Sequence, residues 1–127
     1  MKVFDSQSIR NIALVGHGDA GKTSLTSALL YSSGKVKRLG NVEEGSTVTD
    51  FEEDEIERSI SISTALAHLE WKGSKINILD TPGYRTFILD TRASIVGAET
   101  AVVVVDAVSG VEVQTETVWP FAEEFKL

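Results

Sequence analysis

The sequence predicts an α/β fold with a mostly parallel sheet, one antiparallel edge strand and helices on both faces. Two short continuous apolar runs, residues 12–15 and 101–105, are typical of strands buried on both faces. Between them, residues 65–71 alternate apolar and polar side chains, and the turn Lys72-Gly73-Ser74 predicts an antiparallel hairpin with residues 75–79. The expected order of elements is therefore β-α-loop-β-β-α-β-α.

Three helices complete this order. The first follows a glycine-rich turn, and apolar residues recur in it at i, i+3 and i+4: Leu25, Ala28 and Leu29. It is expected to stop at Ser33-Gly34, because glycine readily takes the left-handed conformation that ends helices. The second helix, after Gly83, carries three apolar residues on one face: Leu89, Ala93 and Val96. The last helix covers residues 112–127, with Pro120 as an internal kink or break.

The net charge of −7 comes from one segment of the chain. Residues 43–57 hold eight acids and no base: Glu43, Glu44, Asp50, Glu52, Glu53, Asp54, Glu55 and Glu57. Without them, 11 acids face 12 bases, so the remainder of the chain is nearly neutral. Residues 35–58 as a whole are polar and aperiodic, which predicts a solvated or mobile loop with a function. The sequence has no general cluster of basic residues of the kind that would indicate binding to DNA.

Length and composition indicate a soluble globular chain of at most one domain. The 127 residues include no cysteine, which excludes disulfides and thiolate metal sites. The amino-terminal residues lack the apolar core of a signal peptide, and the densest apolar run, residues 101–105, is far too short to span a bilayer. We therefore expect a cytoplasmic protein with no membrane partner.

The segment from Gly16 to Thr23 fits the pattern G-x-x-x-x-G-K-[ST] directly after a strand and before a helix. Gly16 and Gly21 let the backbone wrap around phosphate, and the helix amino terminus adds partial positive charge. Lys22 is expected between the β- and γ-phosphates, and the Thr23 hydroxyl is expected to bind Mg²⁺. The predicted nucleotide-binding residues of this loop are Gly16, His17, Gly18, Asp19, Ala20, Gly21, Lys22, Thr23 and Ser24. They predict a P-loop nucleotide-hydrolase fold.

A second phosphate-facing motif, Asp80-Thr81-Pro82-Gly83, follows the apolar strand that ends at Leu79. Alone, D-x-x-G is a weak signal that usually marks a turn. Here it lies at the carboxyl end of the strand expected beside the P-loop strand, where open α/β sheets bind ligands. Asp80 is therefore predicted to hold Mg²⁺ through water, and the Gly83 N–H to contact the γ-phosphate.

Four segments, GHGDAGKTSL, ERSISI, DTPGY and VSGVEVQTETVW, resemble the successive GTPase motifs of elongation factor G, and the likeness runs from about residue 9 to residue 127. The resemblance implies GTP and GDP as ligands, Mg²⁺ as cofactor, and the ribosome as partner of the intact protein. The acidic segment TVTDFEEDEIER is similar to that family's first switch, which becomes ordered around GTP and Mg²⁺ and loosens after hydrolysis. The resemblance also implies that Ser61 binds Mg²⁺ in place of the usual threonine.

Ser59 and Ser61 stand where that family usually has glycine and threonine, and two further positions also depart from its pattern. Gly18 stands where a bulky apolar residue usually forms half of a hydrophobic gate opposite Ile60, so the gate would be half open. Tyr84 stands where a histidine usually orients the attacking water, and with Lys22 and Gly83 it forms the predicted catalytic group. A tyrosine of pKa about 10 stays neutral and only hydrogen-bonds, so we expect slow intrinsic hydrolysis. The alternative is that Tyr84 merely packs against the helix that follows it.

Other singled-out residues have plainer interpretations. Asp19 either helps to bind a cation or the nucleotide, as the resemblance suggests, or is an exposed loop aspartate. His17 is predicted to be a structural loop residue, and His68 an exposed strand residue. Trp71 and Trp119 are expected to be core or interface residues rather than ligands.

The motifs that normally read guanine, Asn-Lys-x-Asp and a Ser-Ala-Lys-like segment, do not occur in the 127 residues, so guanine specificity rests on the resemblance. We expect residues 1–127 to be the amino-terminal part of a GTP-binding domain, with the strand at 101–105 left as an apolar edge. Nucleotide affinity of these residues alone is expected to be weak or absent. The alternatives are a GTP-binding switch with little hydrolysis, a P-loop ATPase or small-molecule kinase, and a fragment without function.

Overall fold

A computed structural model describes residues 3–127, which form a four-stranded sheet covered by helices on both faces. The strands are β1 (Ile9–Val15), β2 (Ala65–Trp71), β3 (Ser74–Asp80) and β4 (Thr100–Val103). The helices are α1 (Lys22–Ser32), α2 (Glu53–Arg58), α3 (Ile88–Ile95) and α4 (Val113–Glu124), with short 3-10 turns at Ser6–Ser8 and Arg85–Phe87. The predicted α/β fold class is confirmed.

The strands lie in the order β2-β3-β1-β4. β1 pairs in parallel with β3 and β4, and β2 pairs antiparallel with β3, so the predicted antiparallel edge strand is present. The hairpin turns at Lys72 and Gly73, whose φ angles of 47° and 86° are both positive, as the favoured two-residue turn requires. Because the three parallel strands end at the same edge of the sheet, the loops that follow β1, β3 and β4 lie together there.

The side chains of β1 alternate between two apolar clusters, one on each face of the sheet. The cluster under α1 contains Leu14, Leu30, Ala67, Leu69 and Ile78. The cluster under α3 and α4 contains Ala13, Val15, Ile95, Ala98 and Val118. The central strand is therefore covered on both faces, which explains why its sequence is a continuous apolar run rather than an alternating one.

The apolar face predicted for α3 is not the face that the helix buries. Leu89 and Val96 are 75% and 59% exposed, whereas Thr91 and Ile95 are fully buried. The Thr91 hydroxyl donates a hydrogen bond of 2.8 Å to the Pro82 carbonyl oxygen, so a polar residue fastens the helix to the loop before it. The spacing of apolar residues did not predict the buried face, because the Thr91 hydroxyl has a hydrogen-bond partner and can therefore be buried in the interior.

The structure narrows two further expectations and corrects a third. α4 continues through Pro120 to Glu124, so of the predicted kink or break the break is excluded. Trp71 and Trp119 are 51% and 55% exposed, so of the predicted core or interface roles the core is excluded. β4 was predicted to be fully buried over residues 101–105; it is shorter and only partly buried. Among residues 3–127, the helices are too short or too polar for any of them to cross a bilayer.

Candidate nucleotide site

The glycine-rich loop joins the end of β1 to the amino terminus of α1, at the sheet edge where the parallel strands end. Gly16 has a φ of 145°, and a β-carbon there would collide with the Val104 carbonyl oxygen, so the loop requires glycine at this point. The Lys22 side chain turns back over the loop, where its Nζ donates to the carbonyl oxygens of His17 at 2.7 Å and Gly16 at 3.3 Å. The loop therefore holds its lysine in place through its own backbone.

The Lys22 ammonium group is buried among acids. Burial lowers the pKa of Lys22, and the carboxylates of Asp80, Asp19 and Asp50 act in the opposite direction. These carboxylates favour the charged form of the lysine, which is the form that binds a phosphate.

Two of the three predicted Mg²⁺ ligands, Thr23 and Ser61, contact each other, and the hydroxyl of Thr23 is close enough to the third, Asp80, to influence its pKa. Thr23 Oγ1 is 3.1 Å from Ser61 Oγ, although 38 positions separate them in the sequence. Asp80 is 1% exposed; its Oδ2 accepts a 2.7 Å hydrogen bond from the Thr49 hydroxyl, while its Oδ1 has no hydrogen-bond partner among residues 3–127. A buried carboxylate oxygen without a partner is costly unless an ion or water satisfies it. Hydroxyl and carboxylate oxygens are the ligands that Mg²⁺ prefers, so these residues fit that ion.

Asp50 belongs to the same group and was missed by the sequence analysis. It is 5% exposed, and its Oδ1 accepts a 2.7 Å hydrogen bond from the Ser61 hydroxyl. Burial raises the pKa of Asp50 and also that of Asp80, because both carboxyl groups are removed from water. In the sequence, Asp50 is one of eight acids in a polar segment, and no local pattern sets it apart from the others.

The acidic segment is not uniformly solvated, which corrects the expectation for residues 43–57. Six of its acids are exposed, but Asp50 and Glu55 are buried. Glu55 lies in α2, a helix that sequence reasoning did not predict, and its Oε1 accepts the backbone N–H groups of Ile62 at 2.9 Å and Ser63 at 3.2 Å. Glu55 thereby fixes the chain that follows α2 and places Ser61 next to the phosphate loop.

The Asp80-Thr81-Pro82-Gly83 motif lies directly on the phosphate loop. A β-carbon at Gly83 would collide with Lys22 Nζ and lie 2.6 Å from the His17 carbonyl oxygen. The next residue, Tyr84, donates a hydrogen bond of 2.7 Å from its hydroxyl to Asp19 Oδ2. That hydrogen bond, with burial and the Asp19 charge, raises the pKa of Tyr84 to about 12.

The space above Gly18, predicted to be the open half of a gate, is occupied by Tyr84. A β-carbon at Gly18 would lie 2.8 Å from Cζ and 2.9 Å from Cε2 of the tyrosine ring. Ile60 lines the same cavity as these two residues. Tyr84 therefore contacts the phosphate loop, and its hydroxyl is bonded to that loop rather than to the helix that follows it.

His17 makes structural contacts. Its Nδ1 accepts the Gln114 N–H at 3.3 Å, and its Nε2 is 3.7 Å from a carboxylate oxygen of Glu112, so it ties the phosphate loop to the start of α4. The Ala20 N–H donates to the His17 carbonyl oxygen at 3.4 Å. His68 is exposed on β2, as predicted.

Residues from three separate segments converge on one cavity of about 820 Å³. The phosphate loop and α1 contribute Gly18, Asp19, Gly21, Lys22, Thr23 and Ser24. The stretch between α1 and β2 contributes residues 38–44, Asp50 and residues 59–61, and the segment after β3 contributes Gly83 and Tyr84. The cavity has the size expected of a site for a nucleotide-sized ligand.

Comparisons with known sequences agree with this geometry. The family model described as elongation factor Tu GTP binding domain matches residues 7–127. Ribosome-releasing factor 2, mitochondrial, of Candida dubliniensis is 49% identical over 118 residues, which are 93% of this chain and 15% of that protein. The protein of the same name from Rattus norvegicus is 47% identical over 119 residues, 94% of this chain and 15% of that protein. The chain thus spans 15% of the length of each of these relatives.

Solved structures show the same fold. A protein from Thermus thermophilus superposes with a TM-score of 0.89 at 43% identity, over 92% of this chain and 18% of that one. A bacterial selenocysteine-specific elongation factor superposes with a TM-score of 0.71 at 27% identity, over 90% of this chain and 17% of that one. The mixed four-stranded sheet is therefore part of a P-loop GTPase fold.

Proposed function

We propose, from the premise that this chain belongs to the elongation factor Tu GTP-binding domain family of translational GTPases, that it binds GTP with Mg²⁺ and hydrolyses GTP within a factor that acts on the ribosome. The observation that carries the proposal is the convergence of the phosphate loop, Ser61 and the segment after Asp80 on one cavity. The relatives are named ribosome-releasing factors, which supports release of ribosomes as the step that the whole protein drives, with translocation as the other candidate.

In this proposal the chain's own residues bind and orient the triphosphate. The amides of residues 16–21 surround phosphate oxygens, Lys22 lies between the β- and γ-phosphates, and the Gly83 N–H contacts the γ-phosphate. Thr23, Ser61 and Asp80 would hold Mg²⁺, which when bound neutralises charge on the phosphates. Most of the catalysis then comes from positioning and electrostatic stabilisation.

The first test removes the phosphate-loop cation from the full-length protein. Lys22→Ala is expected to weaken binding of fluorescent GTP and GDP at least tenfold, because the buried Lys22 ammonium group is the positive charge that the loop holds over its own backbone. Lys37→Ala, at an exposed position outside the cavity, is the matched control and is expected to bind as the parent does. Excess unlabelled ATP should not displace the labelled GTP. Unchanged affinity in the Lys22 variant would exclude the proposed phosphate site, and displacement by ATP would favour an ATPase.

A GTP-binding switch with little hydrolysis is the second candidate, and the state of Tyr84 favours it. Its hydroxyl is already bonded to Asp19, and with a pKa of about 12 it stays neutral at physiological pH, so it provides no cationic group for the transition state. We expect Tyr84→His to change ribosome-stimulated phosphate release appreciably. Equal rates for the two proteins would remove Tyr84 from the hydrolytic mechanism.

The cellular compartment is a further proposal. The expectation from the sequence alone is the cytoplasm, whereas the relatives' names place those proteins in mitochondria. Microscopy of the tagged full-length protein in its own cells decides between the two, with a mitochondrial signal overturning the cytoplasmic expectation.

A further inference from the structure

Gly18 and Tyr84 both depart from the family pattern, and the structure places them in contact. A β-carbon at Gly18 would lie between 2.8 and 3.0 Å from three atoms at the phenol end of the Tyr84 ring. Carbon atoms that are not bonded pack at about 3.5–4.0 Å. Any side chain at position 18 would therefore have to push the ring aside, so the two departures are sterically matched.

The Tyr84 hydroxyl bonds the adjacent loop residue. Asp19 has a φ of 61°, a left-handed conformation that is unfavourable for residues other than glycine, although aspartate tolerates it better than most. Its Oδ2 accepts the 2.7 Å hydrogen bond from Tyr84. One side chain thus rests on Gly18 and holds Asp19, two consecutive residues of the phosphate loop.

The residue before the tyrosine strengthens this attachment. Gly83 lies so close to the loop that a β-carbon there would be 2.6 Å from the Gly18 nitrogen. Tyr84 in turn directly precedes the 3-10 turn Arg85–Phe87, which continues into α3. Any movement of α3 that pulls on its amino terminus must therefore either break the Tyr84–Asp19 hydrogen bond or move the phosphate loop.

We infer that Tyr84 is a positioning residue. Its hydrogen bond to Asp19 acts as a tether that holds the segment after β3 against the phosphate loop, and its ring packs on Gly18. This inference rests on the proposed function, since it assigns a role at the nucleotide site. The tether holds the phosphate loop in the conformation that receives phosphates and slows its opening. Bound nucleotide accordingly leaves more slowly than it would without the tether.

A double-mutant cycle on nucleotide dissociation tests the tether in the full-length protein. Tyr84→Phe keeps the ring and removes the hydroxyl, and it is expected to raise the dissociation rate of fluorescent GDP about fivefold, the factor that one partly exposed charge-assisted hydrogen bond supplies. In the Asp19→Ala background the same change is expected to have no effect. Tyr31→Phe, on an exposed tyrosine of α1, is the matched control and should leave the rate unchanged. The same fivefold change in both backgrounds, or none in either, would overturn the inference.

A second double-mutant cycle tests the packing of the Tyr84 ring on Gly18. Gly18→Ala is expected to raise the dissociation rate in the parent protein and to have little effect in the Tyr84→Ala background, where no ring competes for the space. An equal effect in both backgrounds refutes the steric match. If Gly18→Ala prevents folding, the cycle on Tyr84 and Asp19 still decides the tether. If the parent protein does not bind GTP, the proposed function itself is wrong. If it binds GTP but the variants show no coupling in nucleotide dissociation, only this inference is wrong.

Discussion

At Tyr84, the hydrogen bond to Asp19 contributes most to the raised pKa of the phenol, and this can be measured directly. We expect Asp19→Ala to lower the pKa of the Tyr84 phenol from about 12 towards the ordinary value of about 10, because the variant loses both the hydrogen bond and the nearby negative charge. The measurement is phenolate absorbance as the pH is raised, with Tyr84→Phe identifying the signal of this residue. Both proteins keep the phenol protonated at neutral pH, so they should differ only above about pH 10. A pKa that stays near 12 in the variant would show that burial, not Asp19, raises it.

The charges inside the site do not balance. Two buried carboxyl groups, Asp50 and Asp80, lie near one buried ammonium group, Lys22. Burial raises the pKa of each carboxyl group, so both carboxylates are disfavoured until a cation compensates them. In the proposed function, a triphosphate would add further negative charge at the same place. A divalent cation would compensate these charges, and Asp80 Oδ1, which has no hydrogen-bond partner among residues 3–127, would be one of its ligands.

At the scale of elements, Glu55 holds the first-switch segment together. Glu55→Ala removes the acceptor of the Ile62 and Ser63 N–H groups, which roughly costs 1–3 kcal/mol of local stability. We expect amide hydrogen exchange of residues 59–64 to accelerate at least tenfold, with little change in β1 and β3. Glu57→Ala is the matched control, because Glu57 is an exposed acid of the same helix. Equal exchange in the two variants would show that the segment is ordered by other contacts.

Besides the attachment of Tyr84 to the phosphate loop, α3 is attached to the segment before β2. The backbone N–H and the hydroxyl of Thr64, just before β2, both donate to Asp90 Oδ2 of α3 at 2.6 Å. The Ser94 hydroxyl donates to the Thr64 hydroxyl oxygen at 2.8 Å. α3 is therefore fastened to the phosphate loop through the segment before it and to the end of the first switch through Asp90. A shift of α3 would therefore change contacts on both sides of the proposed nucleotide site.

Patterns that are local in sequence predicted the elements well. The apolar run of β1, the β2–β3 hairpin and the phosphate loop each depend on a few consecutive residues, and each lies where expected. The failures share a different cause. The buried face of α3 depends on the hydrogen bond of Thr91 to Pro82, and no periodicity of apolar residues reports such a bond.

The candidate site divides in the same way. Lys22, Thr23 and Asp80 belong to motifs with fixed spacing, so the sequence indicated them directly. Asp50 and Glu55 could not be told apart from the neighbouring Asp and Glu residues in the sequence. What distinguishes them is burial against partners elsewhere in the fold. The contact of Tyr84 with the phosphate loop spans 65 positions, so single-residue patterns could flag the tyrosine as unusual but not locate its partner.

For the whole molecule, the exposed edge of the sheet governs how the 127-residue chain behaves when it is produced by itself. β4 is the edge strand next to β1 in the sheet of residues 3–127, and its side chains Ala101, Val102 and Val103 are only partly buried. Apolar edge strands with free backbone groups pair with other chains. We therefore expect concentration-dependent self-association in sedimentation velocity at micromolar concentrations.

Thr100→Lys, at an exposed position of β4, should reduce this self-association, because a charge on an edge opposes pairing. Val108→Lys makes the same change in net charge at a loop position that is 95% exposed, and it should leave association unchanged. If both lysine variants dissociate the chain equally, pairing through β4 is not responsible for the association, and a monomeric parent would show that the edge is harmless.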